Sequence, residues 1–116
     1  MYEYNVKEIV SIYDGDTMKV VVDLGFKISA QQTLRFYGIN TLELRGDERE
    51  TGIISRDWLR ARIYNAIENE IPIKIKTIKD KSGKYGRLLA SVYIGDEADS
   101  LNEQMVSEGL AVEYMK

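Results

Sequence analysis

The chain has 116 residues, 44% of them apolar and 30% charged, which is the profile of one globular domain and not of a disordered segment. It holds no histidine and no cysteine, so a disulfide framework, cysteine-ligated zinc and imidazole catalysis are all excluded. A net charge of −3 argues against strong non-specific binding to duplex DNA.

The opening residues, Met1-Tyr2-Glu3-Tyr4-Asn5, lack the basic start and apolar run of a secretion signal. No stretch is apolar enough to span a bilayer, so a cytoplasmic protein without membrane association is expected. Strands are predicted over Val6–Tyr13, Met18–Leu24 and Ile28–Ile39. Val20 and Val22 alternate there with Val21 and Asp23, and Gly15 and Gly25 punctuate the connections. A polar loop follows from Asn40 to Glu50. Thr51 reads as the N-cap of a helix to about Asn69, whose Ile54, Trp58, Leu59, Ile63, Ala66 and Ile67 recur at three- and four-residue spacing. Pro72 marks the next strand, with Ile71, Ile73, Ile75 and Thr77 facing one way and Lys74 and Lys76 the other. A turn from Asp80 to Gly86 leads into a strand over Leu88–Ile94. A second helix over Ser100–Glu108 ends at Gly109, a natural C′ residue.

Three strands, a helix, two strands and a final helix is the order of an OB-type Greek-key barrel within one domain spanning 1–116. A small open α+β sheet would give a similar string. Charge is unevenly placed along it. Lys74, Lys76, Lys79, Lys81, Lys84 and Arg87 face a single acid, Asp80, whereas Asp96, Glu97, Asp99, Glu103, Glu108 and Glu113 are interrupted by no base. A polyanion is steered towards one part of such a surface and repelled from the other, although two solvated faces of opposite sign would look the same.

Three short stretches carry the candidate chemistry, each at what reads as a strand end. In Asp14-Gly15-Asp16-Thr17, Asp-Gly is a strong hairpin signal, because glycine accepts positive φ and the aspartate caps the turn. That reading leaves Asp16 unexplained; a metal ion or a backbone hydrogen bond would hold a carboxylate there. Arg35 lies in the otherwise apolar Leu34-Arg35-Phe36-Tyr37-Gly38-Ile39 and is followed by Asn40-Thr41-Leu42-Glu43. It faces either solvent or a cleft. Lys84-Tyr85-Gly86-Arg87 is a glycine turn with basic flanks. Of the eight tyrosines, Tyr85 and Tyr114 are the ones placed to stack on a base. Carboxylate and amide oxygens suit Ca²⁺ or Mg²⁺, and arginine forks match phosphate oxygens two at a time. The inventory suits phosphodiester cleavage.

Taken in order and interleaved with these elements, the three motifs resemble the staphylococcal nuclease family over nearly the whole chain, from about Val6 to Tyr114. The resemblance implies an OB barrel and Ca²⁺-dependent hydrolysis of DNA and RNA, with Mg²⁺ or Mn²⁺ as alternative ions, by a monomer acting on single-stranded or locally melted nucleic acid. It implies that Asp16, Asn40 and the carbonyl of Thr41 hold the metal, and that Glu43 activates the attacking water. Arg35 and Arg87 correspond to the pair that grips the scissile phosphate. Lys84, Tyr85 and Tyr114 correspond to contacts with a nucleotide.

The chain departs from the family pattern in carrying Asn40 where Asp is usual and Leu42 where Pro is usual. Asparagine keeps an oxygen ligand but removes one formal charge, so weaker calcium binding is expected. The loop Leu44-Arg45-Gly46-Asp47-Glu48-Arg49-Glu50 is of mixed charge where the type enzyme is lysine-rich. The rival expectations are a non-catalytic OB module for single-stranded nucleic acid and a protein-interaction domain. Neither needs a general base at Glu43.

Overall fold

The computed structural model describes residues 2–41, 49–82 and 87–114, with the backbone alone at 49–51 and 79–82. The elements in chain order are β1 (Tyr2–Asp14), β2 (Thr17–Asp23), β3 (Ser29–Phe36), β4 (Ile39–Thr41), α1 (Arg49–Glu68), β5 (Ile73–Ser82), β6 (Leu88–Ile94), α2 (Leu101–Ser107) and β7 (Ala111–Glu113). Five strands close into a barrel in the order β1-β2-β3-β6-β5, all antiparallel except the β3–β6 pair. This is the expected OB-type α+β architecture, and the open sheet is excluded. Among the described residues no helix is long and apolar enough to cross a membrane.

Closure depends on β1. Its first residues pair with β5 and its remainder with β2, and three irregularities interrupt the β2 register, between Val6 and Glu8, Ile9 and Ser11, and Ile12 and Asp14. Each bulge adds twist, which lets one long strand coil around two sides of a small barrel. The inward rows are apolar as predicted: Met18, Val20 and Val22 from β2, Leu34 and Phe36 from β3, and Ile73 and Ile75 with Thr77 from β5. Leu59 and Ile63 of α1 and Leu101 and Met105 of α2 complete one continuous core. Fully burying each such side chain contributes about 1.5–3 kcal/mol.

Several details differ from expectation: β1 already begins at Tyr2 and not at Val6, and β5 runs on to Ser82 where a turn from Asp80 is expected. The third strand does not run on to Ile39. It leaves the barrel at Tyr37-Gly38, where Gly38 takes a φ of +82°, and its continuation β4 pairs with β7 instead. Helix α1 begins by Arg49, so Thr51 lies within its first turn and is not its N-cap. The buried face of α1 is Ser55, Leu59, Ile63 and Ala66, whereas Ile54 and Ile67 are 57% and 48% exposed. Ser55 belongs to the core because its hydroxyl donates to the carbonyl of Leu110 at 2.7 Å, a partner invisible to hydropathy. Ile71 lies ahead of β5 and is exposed.

Helix α2 is fixed at both ends. Ser100 and Glu103 form a reciprocal capping box, and Gly109 (φ +76°) closes the helix, with the Leu110 N–H donating to the Met105 carbonyl at 2.8 Å. The acidic stretch is partly neutralised in three dimensions, because Glu97 forms a two-oxygen pair with Arg62 at 2.8 Å.

Between these caps sits Asn102, 3% exposed. Its Oδ1 accepts from the Val92 N–H at 3.1 Å, and its Nδ2 donates to the carbonyls of Tyr37 (2.9 Å) and Ala90 (3.2 Å). The side chain thus replaces the strand neighbour that β6 loses where β3 turns away. Replacing it with alanine strands buried backbone groups, so Asn102→Ala is expected to cost about 3 kcal/mol in denaturant unfolding. A loss under half that size would show that the amide bridge is not what holds this corner.

Candidate active site

The Asp14-Gly15-Asp16-Thr17 turn joins β1 to β2, and the Asp14 Oδ1 accepts the Asp16 N–H at 3.0 Å, the expected aspartate cap. Gly15 is needed for a different reason from the one the hairpin signal suggested. It is absent from the glycines with positive φ. Instead, a Cβ there would lie 2.8 Å from Thr41 Cγ2, 3.0 Å from Ser55 Cβ and 3.1 Å from Met105 Cε. The turn is pressed against β4, α1 and α2 at once, and only a residue without a side chain fits.

Asp16 is 7% exposed, and its carboxylate is fully engaged. Oδ1 accepts from the Thr17 hydroxyl at 3.1 Å, and Oδ2 accepts from the Thr41 N–H at 3.0 Å. Nη1 of Arg35 stands 3.5 Å from the same Oδ2. The Asp16 carbonyl also accepts the Phe36 N–H at 2.8 Å, locking the turn to the end of β3.

Arg35 therefore faces a cleft and not open solvent. It sits opposite Thr17 in the β2–β3 register, with its side chain 14% exposed. Nη1 donates to its neighbour's carbonyl, Phe36 O, at 2.8 Å, while Nη2 donates to Asn40 Oδ1. Oxygens from two distant turns, Asp16 and Asn40, thus converge on one guanidinium group. That arrangement is a cradle for positive charge.

The other expected residues fall as follows. Arg87 stands immediately before β6, two residues from Leu89, the parallel neighbour of Arg35, so strand alternation assigns both arginines to one side of the sheet. Tyr114 follows β7 directly, and its N–H donates to the Gly38 carbonyl at 2.8 Å, on the ribbon that carries Asn40 and Thr41. Glu43, Lys84 and Tyr85 lie outside the described residues.

Sequence reasoning overlooked Asp14 as more than a turn cap. Its carboxyl is pushed up from the ordinary carboxylate range to about 6, first by burial and then by the hydrogen bond and negative charge of Asp16. The Asp-x-Asp spacing signals the repulsion between the two carboxylates but not the burial that contributes most. A cation in the cradle would relieve that repulsion, and the donor set of carboxylate, amide and carbonyl oxygens suits a hard divalent ion. Among the described residues no cluster of three or more acidic ligands forms, so any such site would draw on neutral oxygens as well.

A carboxyl whose value is raised on folding favours the folded state at low pH, and that advantage is lost as pH rises through about 6. Asp14→Asn keeps the acceptor for the Asp16 N–H but removes the charge. In chelator it should be more stable than the parent by about 1 kcal/mol at pH 8, with the gain vanishing near pH 4. Equal unfolding midpoints for the two proteins at pH 8 would contradict this account.

Comparison with known proteins gives a consistent result. Residues 33–116 match the family described as staphylococcal nuclease homologue. The chain is also 30% identical over 107 residues to the thermonuclease of Staphylococcus hyicus, a match that covers 90% of this chain and 56% of that relative. A closed five-stranded barrel, an arginine opposite the Asp-Gly-Asp-Thr turn, and these matches lead to one conclusion: the chain belongs to the staphylococcal nuclease family.

Proposed function

We propose that this domain is a metal-dependent nuclease that hydrolyses phosphodiester bonds in single-stranded or locally melted DNA or RNA, with Ca²⁺ as its ion. The observation that carries the reading is the convergence of Asp16, Arg35, Asn40 and Thr41 at one end of the barrel. Family membership supports it.

In this reading the Asp16 carboxylate, the Asn40 amide oxygen and the Thr41 carbonyl hold the ion. A bound Ca²⁺ supplies charge neutralisation at the scissile phosphate. Arg35 and Arg87 grip non-bridging oxygens and oppose the negative charge that grows on them in the transition state. Arg35 suits this role because Phe36 O and Asn40 Oδ1 already fix the plane of its guanidinium group. Glu43 takes the proton of the attacking water, since the chain offers no imidazole for the task. Lys84, Tyr85 and Tyr114 bind the flanking nucleotide through charge and stacking.

Digestion of single-stranded DNA and RNA with Ca²⁺, Mg²⁺ or chelator, alongside Glu43→Gln, tests the assignment. Cleavage that needs metal and is lost in the variant is the expected result. Binding without cleavage by clean protein would favour the non-catalytic module. Arg35→Lys should slow single-turnover cleavage by roughly 10³–10⁵, because a point charge cannot reproduce the two-oxygen fork. Asn40→Asp restores a formal charge to the ligand set and should tighten Ca²⁺ binding by on the order of tenfold in calorimetric titration. Unchanged or weaker binding would refute that role for Asn40.

A further inference from the structure

The acidic turn has a second neighbour that the proposed chemistry does not use. Helix α1 passes directly against it: the Cβ of Ser55 is 3.0 Å from where a side chain on Gly15 would begin. The next residue is Arg56, and four further on is Arg60, one turn along the same flank of the helix. Arg60 reaches back across the gap, and its Nη2 donates to the carbonyl of Ile12 at 2.8 Å. Between Ile12 and the turn stands Tyr13, 69% exposed, on the opposite side of β1 from the buried Ile12.

None of these three side chains is accounted for by folding alone. Tyr13 presents most of a large ring to water next to the buried Ile12, so burial contributes little to its place there. Arg60 donates to one carbonyl, which leaves most of its five donors uncommitted by that bond. Arg56 touches Asp57 at 3.3 Å through Nε, a contact between chain neighbours whose acid is 58% exposed. Such a pair is a weak one. An aromatic ring and two guanidinium groups on the strand and helix that flank the Asp14–Thr17 turn are the elements from which a track for single-stranded nucleic acid is built.

We propose that Tyr13, Arg60 and Arg56 form a binding segment that receives the polynucleotide beyond the scissile phosphate, with a base stacked on Tyr13 and phosphates on the two arginines. The inference rests on the nuclease reading, and it specifies the substrate as an extended single strand and not a dinucleotide. A duplex does not fit it, because a paired base offers no free face to Tyr13. Arg60 also positions the segment, since its bond to Ile12 fixes the separation between helix and strand.

The test compares an oligodeoxythymidylate of about a dozen nucleotides with a dinucleotide. Binding is read by fluorescence anisotropy in chelator, so that no cleavage intervenes, and kcat/KM is then measured with Ca²⁺. Tyr13→Ala should weaken oligonucleotide binding roughly tenfold, the scale of base–aromatic stacking, and lower the ratio of kcat/KM for the long substrate over the short one by a similar factor. Arg60→Gln should also flatten the dependence of log Kd on log salt by about 0.7, the value for one lost phosphate contact on a single strand. Arg60→Lys, which keeps the charge, should restore that slope. A purely structural strut would move the unfolding midpoint and leave the slope alone.

Oligonucleotide affinity, substrate ratio and salt slope all unchanged in Tyr13→Ala and Arg60→Gln would overturn the inference while leaving the nuclease intact. Length-dependent binding through these residues without any cleavage would uphold the track and sink the nuclease. The two failures are therefore distinguishable.

Discussion

A carboxylate taken out of water must be met by donors, and at Asp16 every donor comes from a different piece of the chain. The Thr17 hydroxyl belongs to the strand that follows, the Thr41 N–H to the short ribbon, and Arg35 to the third barrel strand. Satisfying one buried charge therefore fixes the relative placement of three segments. The glycine beside it lets them approach, because a Cβ at Gly15 would collide with Thr41 and crowd Ser55 and Met105. Neither part works without the other: the acid specifies what must converge, and the missing Cβ provides the room.

The rest of the fold serves that convergence. Bulges in β1 coil the strand so that its last residues, Ile12 to Asp14, arrive beside the middle of α1, where Arg60 meets the Ile12 carbonyl. Asn102 pins the peptide of Tyr37, midway between Arg35 and Asn40, to the free edge of β6. The span from Arg35 to Asn40 is thus held at both ends and in the middle. A site built this way has little freedom to rearrange, which is what the proposed phosphate clamp would need.

Much of this was legible in the chain itself. The alternation of Val20 and Val22 with Val21 and Asp23, and the glycine after α2, are local patterns with local causes, and the structure follows them. What escaped was whatever depended on distant partners. Ser55 reads as a surface residue until Leu110 is brought to it, so the buried face of α1 was placed one position away. The strand ending at Ile39 looked continuous because nothing near Gly38 announces that residues some seventy positions later will pair with it. Asp14 looked like turn chemistry because the cost of its charge depends on burial, which a turn motif does not encode. The site's composition was readable, and its arrangement was not.

The ribbon between β4 and β7 carries a consequence for the order of assembly. Asn40 and Thr41 take Val112 and Ala111 as their strand partners, and those partners are translated long after them. During synthesis the barrel's first three strands can form while the oxygen-bearing segment still lacks its mate. The segment bearing Asn40 and Thr41 would then gain its strand partner only once residues 111–113 have emerged, so the geometry of this end of the barrel is set late in synthesis by the topology itself.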